Sequence, residues 1–148
     1  MVRYHSSSHL SRQFSFLAIY YPQAAYFQDR FYGLKRDEKT LVADKYYSNL
    51  PRMNKDSIVV IFDPMLGTAG TLRQTIQEVS DRFKADTGGC LWPHNLYYSG
   101  FLAADSGYRK ALMHIPAKNI VLLAVDPILD ANGYISPGLG DFGDRYFG

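Results

Sequence analysis

The stretch Ile58-Val-Val-Ile-Phe-Asp-Pro-Met-Leu-Gly-Thr-Ala-Gly-Thr71 decides how this chain folds. It opens on an uninterrupted apolar run, Ile58 to Phe62, the pattern of a strand buried in a parallel sheet. Asp63, Pro64 and a set of small, hydroxyl-bearing residues then end the strand in a turn. Beyond Thr71, Leu72, Ile76, Val79 and Phe83 recur at helical spacing to about Lys84, with Gln, Arg, Glu and Asp on the other face. The unit is strand, turn, amphipathic helix.

Two further apolar runs, Leu96 to Leu102 and Ile120 to Val125, have the same short, breaker-bounded character. Between them Tyr108-Arg-Lys-Ala-Leu-Met-His114 reads as a short helix stopped by Pro116. Alternating strands and helices predict a doubly wound α/β fold, a mainly parallel sheet with flanking helices whose ligands bind beyond the carboxyl ends of the strands. Upstream the pattern is weaker. Arg30 to Leu34 reads as a further strand, followed by the charged loop Lys35 to Thr40 and then Tyr46-Tyr-Ser-Asn-Leu-Pro51. Residues 1–29 are expected to be an unassigned N-terminal tail and residues 30–148 one domain.

The composition supports a packed core: 148 residues, 47% hydrophobic, fit one domain. A net charge of +2, with no basic run or stripe, argues against a nucleic-acid partner. No apolar stretch approaches the roughly 20 residues of a membrane-spanning helix. Cys90 is the only cysteine, which excludes an internal disulfide and makes a reducing, cytoplasmic setting the default. Arg3, Arg12, several serines and no acid before Asp29 share a bias with organelle transit peptides, so targeting stays open beside a plain tail. His5 and His9 read as solvated tail residues, and Cys90, His94 and His114 as isolated structural ones.

Chemistry concentrates in two loops. At the end of its strand, the Asp63 carboxylate is placed to reach a ribose hydroxyl pair. Residues 66–71 then offer backbone N–H groups with little bulk, threonine hydroxyls and the start of a helix, the ingredients of a phosphate cradle. A triphosphate loop is a weak alternative, because no lysine follows Gly70. The alternative is a tight turn with Thr71 as a helix cap. The second loop, Ile135-Ser-Pro-Gly-Leu-Gly-Asp-Phe-Gly-Asp-Arg-Tyr-Phe-Gly148, holds four glycines, one proline and two aspartates in fourteen residues. Its backbone can approach a small flat ring closely and match the ring's donor and acceptor edge. A purely structural Gly/Pro turn is the alternative there.

These segments carry a resemblance. Asp63-Pro-Met-Leu-Gly-Thr-Ala-Gly-Thr71 resembles the phosphoribosyl-pyrophosphate loop of uracil phosphoribosyltransferases, commonly D-P-M-L-A-T-G-G-T. Gly133 to Gly148 is similar to that family's C-terminal uracil signature, with G-D-F-G-D-R-Y-F-G nearer the eukaryotic-style versions. Gly33-Leu-Lys-Arg-Asp-Glu-Lys-Thr-Leu41, with Tyr46 to Pro51 behind it, resembles a third family segment in the family's order.

The resemblance implies a type I phosphoribosyltransferase core and transfer of a phosphoribosyl group to uracil, giving UMP and pyrophosphate in pyrimidine salvage. Asp63, Pro64, Met65, Leu66, Gly67, Thr68, Ala69, Gly70 and Thr71 would hold the 5-phosphate and ribose of the donor. Arg36 would meet its anionic end. Ile135 and Gly140 would read the uracil edge through backbone groups, with Phe142 beside them. Asp141 would contact the donor through a magnesium-bound water; magnesium travels with the donor and has no direct protein ligand. Uracil and phosphoribosyl pyrophosphate are the implied partners, in a homo-oligomer.

The pattern also departs from the family. Its members are typically longer, with an N-terminal helical region and an R-A-G-L segment lining the pyrophosphate, and neither is visible in this sequence. Each lost charge-assisted contact is worth about 1.5–3 kcal/mol. A catalytically impaired relative that binds uracil or the donor, or pairs with a full-length subunit, is therefore the alternative function. Gly67 replaces the usual alanine and Ala69 the usual first glycine, a change that is costly where φ is positive. Fewer helices should leave one sheet face or a dimer surface bare, and 15% aromatic content should make it sticky. Asp86 to Asn95 is longer than the family's connection and carries no functional reading.

Overall fold

A computed structural model of the chain describes residues 12–21, 26–36, 43–48, 50–131, 133–140 and 145, with backbone alone for those before residue 50. Strands β1 (Arg12–Tyr21), β2 (Tyr26–Arg36) and β3 (Ala43–Ser48) pair antiparallel in succession. β4 (Ile58–Phe62) then joins β1, antiparallel, from Phe16↔Phe62 to Tyr20↔Ile58. A short β5 (Met65–Leu66) follows, then helix α1 (Gly70–Thr87), β6 (Leu96–Ala104), helix α2 (Asp105–Ala111) and β7 (Ile120–Asp126).

β6 pairs parallel with both β4 and β7. β5 pairs with β6 in the same register as β4, Val59↔Leu96 and Met65↔Leu102, so β4 and β5 are one strand line broken at Asp63-Pro64. Proline has no N–H to give the ladder, and its carbonyl instead accepts the N–H groups of both Phe101 and Leu102 at 3.1 Å. The sheet thus runs β3-β2-β1-β4-β6-β7, with β5 prolonging the β4 line. The expected α/β architecture, a parallel core with flanking helices, is present, and residues Arg12–Tyr21 and Tyr26–Arg36 add antiparallel strands at its β4 side.

Both helices pack on one face of this sheet. Leu72, Val79 and Phe83 of α1, Ala111 of α2 and Ile115 share a core cluster with Val59, Ile61, Leu96 and Tyr98. Burying one such side chain contributes about 1.5–3 kcal/mol. Thr75 also turns inward, its hydroxyl satisfied by donation to the Thr71 carbonyl at 3.0 Å. α1 ends where Gly88, at φ 72, closes the last turn through its N–H to the Lys84 carbonyl.

Residues on the other face of the same strands stay in view: exposure runs from 38% at Phe62 to 78% at Leu123, with Phe101, Val121 and Val125 between. Among the described residues these side chains form an exposed apolar sheet face.

Side-chain amides lock the amino ends of the strands. Buried Asn119 donates to the carbonyls of His94 (3.0 Å) and Leu96 (2.9 Å), and Asn95 donates to the Ser57 carbonyl at 3.3 Å. Asp86 ties the end of α1 to the approach to β4, accepting from the Met53 N–H at 2.9 Å and from Arg82 at 2.7 Å. Against a burial effect that pushes it up, the Arg82 guanidinium and that N–H hold Asp86 below the usual carboxylate range. His94 stacks on exposed Trp92, with ring centroids 6.1 Å apart, at this same amino edge, and Cys90 is exposed. Among the described residues no helix is long and apolar enough to cross a membrane.

Candidate functional site

The two loops singled out by the sequence meet at the opposite, carboxyl edge. A Cβ placed on Gly67 would lie 3.5 Å from the Gly133 carbonyl oxygen and 3.6 Å from a Leu129 methyl, so chain segments far apart in sequence abut there. β8 (Ile128–Leu129) and β9 (Ile135–Ser136) form a short hairpin that leads into the second loop. Asp130 closes the hairpin's tip: the backbone groups of Asp130 and Tyr134 bond at 2.8 Å, and the Asp130 carboxylate accepts the Tyr134 N–H at 2.8 Å. Ile135 is buried with Leu102 and Ala104, and Met65 and Leu129 pack against them. One small apolar cluster therefore supports both loops.

The first loop is built around its own strand break. Asp63 is only 7% exposed, and its carboxyl accepts the Met65 N–H at 3.3 Å. Burial pushes its pKa from 3.8 up to about 7, and the Met65 N–H pulls in the other direction. The sequence placed this carboxylate at a ribose; the fold turns it inward, where it braces the loop. Its main-chain carbonyl accepts the buried Tyr98 hydroxyl at 2.9 Å, and burial with Asp63 nearby keeps that hydroxyl protonated. Leu66 and Ala69 are buried as well, Pro64, Met65, Gly67, Thr68 and Thr71 are half-buried, and Gly70 is exposed. The accessible part of the loop is thus its small-residue stretch.

α1 starts at Gly70 with Ala69 as its N-terminal flanking residue, so Thr71 lies inside the first turn and is not the cap that the sequence offered as an alternative. Ala69 has no side chain that can cap this helix, and the first turn holds no acid, which leaves the positive end of the helix dipole directed at the loop. The Thr68 hydroxyl accepts the Gly70 N–H at 3.4 Å.

Ala69 adopts φ 62, the left-handed region, and is the one non-glycine residue among those described to do so. An L-residue there costs about 1–2 kcal/mol, offset in part by the greater chain entropy of glycine. Ala69→Gly is accordingly expected to stabilise the fold by about 0.5–1 kcal/mol, seen as a higher urea midpoint at unchanged slope. A lower midpoint would show that the methyl's packing outweighs the backbone strain.

In the second loop glycine is required at 138: φ is 56, and a Cβ would stand 1.8 Å from the Ile135 carbonyl oxygen. The Gly138 N–H donates to Asp126, at the end of β7, at 2.8 Å. Gly140 also has positive φ, at 75, and the Arg145 Nε lies 3.9 Å from where its Cβ would be. Asp141 and Phe142 lie outside the described residues. Arg36 ends β2, which runs in the direction of β4 because both are antiparallel to β1. Its backbone is therefore at the carboxyl edge too, about 10 Å across from the β4 line at the usual strand spacing.

Sequence reasoning did not find Tyr98, Gly107 or Asp126. Gly107 is the informative omission. A glycine inside the short helix α2 is unfavourable for the helix, and it is there because the Gly67 and Leu66 carbonyl oxygens would be 2.2 and 2.7 Å from any Cβ.

A parallel sheet whose first parallel strand breaks into a glycine-rich turn, beside a glycine-proline loop beyond its last strand, defines the class: an α/β protein with two glycine-rich segments gathered at the carboxyl edge of its sheet. A family model described as uracil phosphoribosyltransferase matches residues 29–148. The chain belongs to the uracil phosphoribosyltransferase family. It is similar to the uracil phosphoribosyltransferase of Mycoplasma mobile, 37% identical over 78% of this chain and 52% of the relative. It is also similar to that of Acholeplasma laidlawii (38%, over 78% and 51%) and to uracil phosphoribosyltransferase 2 of Schizosaccharomyces pombe (32%, over 78% and 49%). A solved structure of a protein from Aquifex aeolicus superposes with a TM-score of 0.59 at 33% identity, covering 78% of this chain and 51% of that one. The chain spans about half the length of the curated relatives it matches.

Proposed function

We propose that this chain forms UMP and pyrophosphate from uracil and phosphoribosyl pyrophosphate, a step of pyrimidine salvage. The observation that carries the reading is the contact between the 63–71 loop and the Gly133 carbonyl, which seats the two family motifs side by side at one sheet edge. Residues 66–71 hold the donor's 5-phosphate with main-chain amides and the positive start of α1. The ribose then extends towards the C-terminal loop, where the Ile135 and Gly140 backbone groups read uracil and Phe142 lies beside it.

Arg36 and Asp141 complete the assignment, the first at the anionic end of the donor, the second through a magnesium-bound water. Magnesium is assigned to the donor's phosphate oxygens, with no direct protein ligand. When bound it neutralises the charge of the departing pyrophosphate. The protein's own task is orientation and charge stabilisation, and no side-chain nucleophile is needed. A cytoplasmic homo-oligomer belongs to the same proposal.

The test is magnesium-dependent UMP formation by the purified chain, with Arg36→Ala and Asp141→Ala as controls. Both substitutions are expected to abolish it. Full activity in both variants would remove the site assignment.

A further inference from the structure

We propose that Lys110 is a phosphate-binding residue of the donor site. The inference rests on the function proposed above and adds to it a residue outside both family motifs. Gly107 seats α2 against the 63–71 loop so closely that a Cβ there would be 2.2 Å from the Gly67 carbonyl oxygen. Residues three apart share a helix face, so Lys110 emerges over the same loop. Its Nζ lies 3.4 Å from the Thr68 carbonyl oxygen, a long bond that engages one of three ammonium donors.

Its neighbour Arg109 is instead paired with Asp105 at 2.7 Å on the exposed side of α2. Residues 63–71 contain no cation of their own. The loop therefore supplies amides and a helix dipole, and Lys110 supplies the full positive charge that a phosphate dianion calls for. The four-carbon stem lets the ammonium move from the Thr68 carbonyl to a bound phosphate without any shift of the backbone.

The experiment is calorimetric titration of the full chain with ribose 5-phosphate and, separately, with uracil, in wild type, Lys110→Met, Lys110→Glu and Lys110→Arg. Lys110→Met is expected to weaken ribose 5-phosphate binding about fivefold and Lys110→Glu about tenfold or more, with Lys110→Arg near wild type. Uracil affinity should be the same in all four. The wild-type affinity for ribose 5-phosphate should also fall more steeply with added salt than that of Lys110→Met, a difference that a merely structural contact would not produce. Unchanged ribose 5-phosphate binding in Lys110→Met and Lys110→Glu would overturn this inference and leave the proposed function standing. Equal losses for both ligands would overturn it as general damage. A folded wild type that binds neither ligand would overturn the proposed function and this inference with it.

Discussion

Gly107→Ala is expected to destabilise the chain by about 2 kcal/mol and to weaken binding of the phosphoribosyl donor at least about tenfold. On helix propensity alone the substitution should help, by about 1 kcal/mol. Contact geometry decides against it. The added methyl would stand 2.2 Å from the Gly67 carbonyl oxygen and 2.7 Å from that of Leu66, and both obstacles are backbone, so no side chain can swing aside. Either α2 lifts or the loop moves, and each separates the helix from the cradle it backs. Urea denaturation and donor titration of the variant check this together. A variant more stable than wild type, with unaltered donor affinity, would mean that α2 is not the seat of the loop.

The second large effect is in the pH dependence of stability. Burial raises the folded-state pKa of Asp63 from 3.8 to about 7. Between those values the folded chain holds a proton that the unfolded chain has released, so stability falls as pH rises from about 4 to about 7 and levels off above. One pKa unit corresponds to about 1.4 kcal/mol, which puts the total on the order of 2–4 kcal/mol. Asp63→Asn keeps the shape and the acceptor for the Met65 N–H but cannot ionise. The variant is therefore expected to match wild type near pH 4 and to exceed it in stability above pH 7. Thermal unfolding of the two proteins across that range measures the difference, and parallel curves would show that Asp63 is not held neutral by the fold.

Much of this arrangement is legible in the amino-acid sequence. β4 and β6 announce themselves as apolar runs because a strand inside a sheet needs apolar side chains, and β7 carries the same kind of run at the sheet edge, with Val121, Leu123 and Val125 exposed. The amphipathic spacing of Leu72, Val79 and Phe83 likewise declares α1, and the structure extends it only to the glycine that ends it. β1 was harder to read. It pairs with β2, next in the chain, and with β4, far along it, and its own stretch shows no strict alternation, only an enrichment in aromatic and branched residues. α2 starts at Asp105, ahead of the stretch expected from Tyr108, because Gly107 looks like a helix breaker until the loop beneath it is in place.

The same limit applies within the site. Which residues form the loops followed from their glycines, prolines and hydroxyls. Which way Asp63 faces did not, since that depends on Tyr98 and on Gly100, where a Cβ would meet the Asp63 carbonyl oxygen at 2.6 Å. The sign of φ at Ala69 was equally hidden, because alanine is common in both turns and helices and only the assembled turn selects the left-handed region. Local chemistry named the loops; tertiary contacts set their orientation.

The most direct test of the central claim is conversion of labelled uracil to UMP by the purified chain with phosphoribosyl pyrophosphate and magnesium, beside Asp141→Ala. The account predicts UMP formation that requires magnesium and disappears in the variant; a folded chain that makes no UMP, or a variant that makes as much as wild type, would contradict it.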